Sequence, residues 1–208
     1  RANTVEVKYR LPSQGAVAHL VIDATGLKVY GEGEWKVRKH GKEKRRVWRK
    51  LHLAVDAATH AIVAAEVSLE TVADNEVYPS LLNPLRRKIE QVSADGAYDT
   101  LQTYRYLHRR RIKPIIRPPH NGISHEEPAL RHRNRNIEQI RHSSLKQWQS
   151  SCGYHLRSRV ESKMHALKRL GERVSARTLE RQQVQMVLRA RILNRFMLLG
   201  RCQAVRVS

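Results

Sequence analysis

Apolar and polar positions along this chain follow two rhythms, one of strands and one of helices. A continuous apolar run, "AHLVI", reaches Asp23 and is followed by Thr25 and Gly26, which predicts a buried strand giving way there to a turn or a second strand. "LHLAVDAATHAIVAAEVSL" holds two strand-like runs around a polar turn from Asp56 to His60, the pattern of a hairpin. "KIEQVSADGAYDT" adds a strand finishing at Asp95 and Gly96, and "IKPIIRPP" a short one closed by Pro118 and Pro119. Asp74 is placed to cap a helix from about Asn75, with Pro79 and Pro84 imposing an irregular start or a break, and Asp99 to cap one through "TLQTYRYLHRRR". Residues 120–140 are polar, with Asn121 and Gly122 marking a turn, and the pattern assigns them no regular element. Two helices finish the chain, one around Tyr154 to Leu170 and one from a Ser175 cap to about Leu199, before Gly200.

The helix "YHLRSRVESKMHALKRL" carries a single acid, Glu161, among basic charges. At ~100° per residue, Tyr154, Arg157, Glu161 and Lys168 fall within an arc of roughly 60°. Leu156, Val160, Met164, Leu167 and Leu170 form a separate apolar stripe, so the polar face borders the buried side. The plain alternative is an amphipathic helix whose acid pairs with Arg157 or Lys168 for a few tenths of a kcal/mol, roughly. In the last helix Val184, Val187, Leu188, Leu193 and Phe196 read as core, with a docking face for a partner subunit as the alternative. Trp148 reads as core packing on the edge of the Glu161 helix, with contact to a flipped base as the alternative.

Composition narrows the partners. The 208 residues, 40% hydrophobic, suffice for one domain with its own core. Lys and Arg total 40 against 19 for Asp and Glu, a formal charge of +21, and such a field holds polyanions, nucleic acid first among them. A basic ribosomal-type protein remains an alternative; a membrane-surface protein fits less well, because the cations are spread through core-forming segments. Cys152 and Cys202 form no CxxC pair or Cys/His cluster, which argues against zinc or a disulfide framework and for the cytoplasm. No apolar run is long enough to cross a bilayer, and no signal-peptide pattern opens the chain. A first residue of Arg1 rather than Met is expected of a piece of a longer protein.

Asp23 and Asp95 each stand at the end of a strand-like run with glycine close behind, where strand termini commonly build sites. Either alone reads more readily as a turn or capping residue. With Glu161, three acids from two strands and a helix could converge on divalent cations, which take hard oxygen ligands and leave positions for phosphate and water.

On these residues the chain resembles the DDE transposases of bacterial insertion sequences, most closely the family numbered five. The Glu161 helix matches the signature Y-x2-R-x3-E-x6-K at Tyr154, Arg157, Glu161 and Lys168; "DATGLKVYG" resembles the first-aspartate motif and "ADGAYDT" the second. Ala24 stands where members usually have serine, and no room is expected here for the upstream helical region that recognises element ends. The resemblance implies an α/β, ribonuclease-H-like mixed sheet with helices on both faces. It spans residues 19–200 as catalytic domain, after a lead-in of residues 1–18 cut from a longer protein and before a tail of residues 201–208. It implies Asp23, Asp95 and Glu161 as catalytic ligands of two Mg²⁺ ions, with Mn²⁺ able to substitute, in cleavage at insertion-sequence ends and transfer of 3′-hydroxyls into target DNA. Arg157 and Lys168 would contact DNA phosphates and Tyr154 the strand end. A homodimer on paired ends, in the bacterial cytoplasm and associated with the nucleoid, completes the expectation. A nuclease that hydrolyses without joining, and a noncatalytic DNA-binding remnant, are the competing readings.

Between Trp35 and Lys50 two tryptophans interleave with cations, which suits DNA contact through Trp35, Lys36, Arg38, Lys44 and Arg45; the alternative is a solvated basic hairpin with buried indoles. His120, His125, His132 and His142 lack tight ligand spacing and read as solvated, and Asp56 reads as a turn residue rather than a partner of His52.

Overall fold

Strand β1 (Val17–Val29) organises the fold because both of its faces are apolar: Leu20 and Ile22 serve one core, Val21 and Leu27 the other. A computed structural model describes residues 11, 15–29 and 48–200. In it β1 pairs antiparallel with β2 (Trp48–Asp56), which pairs antiparallel with β3 (Ile62–Leu69). On its other side β1 runs parallel to β4 (Ile89–Ala94), and β4 to β5 (Lys113–Ile116). The sheet order is β3-β2-β1-β4-β5, with the short β6 (Arg173–Val174) beside the far end of β1. The hairpin between β2 and β3 is the one expected, and Asp56 is its turn residue, its Oδ1 accepting from Ala58 N–H at 2.9 Å.

Helix α1 (Tyr78–Leu82) and helix α2 (Leu101–Arg109) cover one face, burying Tyr78, Tyr104 and Leu107 on Leu20, Ile22 and Val92. Helices α3 (Arg131–His142) and α4 (Leu145–Cys152) flank β5, where Trp148 and Tyr154 pack with Ile115. The other face is covered by α5 (Ser158–Arg169) and α6 (Leu179–Leu199), through Val160, Met164, Leu167 and Met186. This α/β architecture, a mixed sheet with helices on both faces, is the ribonuclease-H-like arrangement that the resemblance implies.

Several local expectations need correction. The first strand does not end at Asp23 but continues unbroken to Val29. Asp74 caps no helix: Ala73 holds the cap position of the turn Asp74–Val77, and the Asp74 carboxylate takes Lys50 at 3.0 Å. Thr100, not Asp99, caps α2, and Asp99 instead accepts from Arg133 Nε at 3.0 Å and Tyr104 Oη at 2.7 Å. Thr178, not Ser175, caps α6. Within residues 120–140 begins the unforeseen α3, which packs through polar side chains: Arg133 on Asp99, and Asn136 Oδ1 accepting the Trp148 indole N–H at 3.2 Å. The apolar reading of α6 also fails in part. Its most buried positions are Gln182, Met186, Ala190 and Asn194, while Val184, Leu188 and Phe196 are exposed and only Val187 and Leu193 lean on the core. The cause is the edge of β3. Asn194 exchanges two hydrogen bonds with the Ile62 backbone, and Gln183 accepts from Val67 N–H and donates to Ala65 O, so amides take the place of a neighbouring strand.

Candidate active site

The parallel pairing of β1 with β4 extends to Val21 opposite Ser93, and that of β1 with β6 begins only at Lys28 opposite Arg173. Between these points one edge of β1 has no strand partner among the described residues. Asp23 and Thr25 sit on that open edge. Asp95 lies two residues past Ser93, so it stands level with Asp23 in the register of neighbouring strands, which are spaced about 4.8 Å apart.

Helix α5 supplies the third acid and crosses beside the gap. Arg157 Nη1 donates to Asp23 Oδ2 at 2.6 Å, and its Nη2 to Glu161 Oε1 at 2.6 Å, so one guanidinium spans two of the three carboxylates. Lys168 Nζ donates to Thr25 Oγ1 at 2.7 Å, anchoring the far end of the helix on the same strand. The second Asp23 oxygen accepts from Ala24 N–H at 2.9 Å, and an Asp95 oxygen accepts from Ala97 N–H at 3.0 Å. Tyr154 and Arg157 lie on a separate 3-10 turn (Tyr154–Arg157) ahead of α5 and not within one continuous helix. The turn is set up by Gly153 at φ 77°, a left-handed conformation that glycine adopts without penalty. The Tyr154 ring is buried against Trp148 at 5.2 Å between centroids.

Electrostatics set Asp23 apart. Burial pushes its carboxyl above the usual range; Arg157 and the Ala24 N–H oppose that rise, whereas Asp95 and Glu161 add to it. Burial would lower the Arg157 guanidinium, but Asp23, Tyr154, Glu161 and Asp95 outweigh it and raise the group. The site therefore sets three carboxylates around a single guanidinium, which bridges two of them. Three hard-oxygen donors in that arrangement fit Mg²⁺ or Mn²⁺, and Asp23, Asp95 and Glu161 are the residues that would hold it. Among the described residues no three such groups already stand at metal-ligand spacing, and the Arg157 guanidinium bridges Asp23 and Glu161.

The structure thus brings Asp23, Arg157 and Glu161 into direct contact, with Asp95 at the adjoining strand end and Lys168 on the same flank. Trp35, Lys36, Arg38, Lys44 and Arg45 lie outside the described residues. Thr25 is a neighbour of the site that the motif pattern does not single out; its place two positions from Asp23 on a strand, and so on the same side, is the signal that marks it.

A family model described as Transposase DDE domain matches residues 17–195 of this basic α/β domain. The chain belongs to that family. It is also similar to a piggyBac transposase seen by cryo-EM in a synaptic complex with hairpin DNA, at 11% identity and a TM-score of 0.35, over 89% of this chain and 55% of that one. The chain therefore spans about half the length of that transposase. Among the described residues no helix is long and apolar enough to cross a membrane.

Proposed function

We propose that this transposase domain cuts DNA at the ends of a bacterial insertion sequence and joins the freed 3′-hydroxyls to target DNA. Asp23, Asp95 and Glu161 are its catalytic acids and the ligands of two Mg²⁺ ions. The observation that carries the reading is the single guanidinium of Arg157 spanning Asp23 and Glu161 beside the strand end that bears Asp95. Bound there, the cations would supply activation of the attacking oxygen and charge relief at the departing one. Arg157 and Lys168 hold positive charge on the flank of the acids, where a phosphate must lie, and the net charge of +21 draws the polyanion to it. Tyr154, fixed by Trp148, would border the strand end. Pairing two ends asks for two copies of the chain.

Asp23→Asn, Asp95→Asn and Glu161→Gln are each expected to abolish Mg²⁺-dependent cleavage while leaving the fold and duplex binding in place. Cleavage retained by one of them would remove that residue from the site. Precleaved ends incubated with target DNA then separate joining from hydrolysis: absence of a joined product would leave a nuclease.

A further inference from the structure

The charge run "HRRRIK" is not absorbed by the acids, and the structure puts part of it to a separate use. Helix α2 ends in a Schellman motif: Ile112 N–H bonds Leu107 O at 3.0 Å and Arg111 N–H bonds His108 O at 3.0 Å, with Arg111 in the left-handed position at φ 56°. Glycine fills that position by default, because a Cβ there crowds the backbone. An arginine in its place is a local cost, and such a cost points to a use for the side chain.

Arg111 lines a cleft of about 310 Å³ with His108, Lys113 and His132, and Glu90 is the one acid in its lining. Among the described residues no hydrogen bond or ion pair engages the Arg111 or Lys113 side chain. Lys113 opens edge strand β5 and pairs in register with Gln91. The cleft therefore lies four residues back along β4 from Asp95, about 13 Å at 3.3 Å per residue. That is well within one ~34 Å turn of duplex.

We infer that this cleft is a second DNA site, in which Arg111 and Lys113 grip backbone phosphate of the duplex flanking the cut. It rests on the proposed function, since the DNA it holds is the one presented to the acids. The cleft contributes grip rather than sequence reading, because phosphate contacts position a duplex without distinguishing bases.

The test uses the full chain without divalent metal and a ~30-base-pair duplex, about three turns, with affinity measured against salt. Lys113→Glu and Arg111→Gly are the variants. Arg195→Ala is the control, on α6, which packs on β3 at the opposite edge of the sheet from β5. Every phosphate that a variant no longer neutralises is expected to lower the slope of log K against log salt by about 0.9. Arg111→Gly relieves the left-handed backbone, so it should weaken DNA binding while its melting temperature does not fall. A purely structural Arg111 would not give that combination. Slopes and affinities equal to those of the parent and Arg195→Ala would overturn the cleft while leaving the acids untouched. Loss of stabilisation by inorganic phosphate, with DNA binding unmoved, would make the cleft a small-anion site and also overturn it. A parent chain that binds no duplex at all would bring down the proposed function together with the cleft.

Discussion

Arg157 Nη1 lies 2.6 Å from Asp23 Oδ2, joining the turn that follows Gly153 to the middle of the central strand across 134 positions of sequence. The contact links the acid-bearing helix to the sheet at the place where, among the described residues, β1 has no strand neighbour on that side.

Arg157→Ala is expected to lower stability by about 1.5–3 kcal/mol, chiefly through the Asp23 contact, because a mostly buried carboxylate loses its charged donor. Urea denaturation near neutral pH, without metal, measures it. An unchanged midpoint would mean that the pair contributes nothing to the fold.

Asp23 has a folded pKa raised above 3.8, first by burial. Its neutral form therefore contributes stability below 3.8, and that contribution is lost as pH rises through the raised value. At neutral pH the carboxylate is a net cost, so Asp23→Asn should melt above the parent, with the difference closing as pH falls toward 3.8. Saturating Mg²⁺ should reverse the order by stabilising the parent alone. Melting curves across pH, with and without Mg²⁺, check both signs.

His19 and His52 are buried against Ser93 and Ser68, at 2.7 and 2.9 Å, and burial lowers each to about 4. Arg159, His155 and Lys113 reinforce the effect at His19, while at His52 Asp74 opposes it and Lys50 adds to it. Both contribute stability that is complete above about 6.5 and lost as pH falls through about 4. The folding free energy should decline from about pH 6.5 downward with proton uptake by both rings. His52→Gln should remove one proton's worth of that slope, and an unchanged slope would contradict its burial as the neutral ring.

Gly153→Ala places a Cβ 3.4 Å from His19 Cε1 at a left-handed φ of 77°. It should cost about 1–2 kcal/mol. Because this turn aims Arg157, cleavage should fall further than the loss of folded protein explains, which activity per folded molecule would show.

The features legible in the chain have short-range causes. Apolar runs mark the β2–β3 hairpin and the strands before Asp95 and Pro118, since a strand buried on one or both faces has to be apolar. The features that escape such a reading share a different cause. Helix α3 packs with Arg133 and Asn136, and α6 seals an open strand edge with Gln183 and Asn194, so polar residues occupy positions that a hydrophobic period assigns to solvent. Asp23 resembles a strand end because the polar residues after it line an edge that β4 abandons and β6 resumes.

By itself, the sequence determined the alternation of strands and helices, the basic field and the spacing of Arg157, Glu161 and Lys168, because these depend on residue type and on near neighbours. Only the tertiary structure decided that Asp23 lies mid-strand on an open edge, that Arg157 bridges it to Glu161, and that Arg111 and Lys113 share a cleft. Those relations join elements whose meeting is set by sheet order and register, which no local pattern encodes.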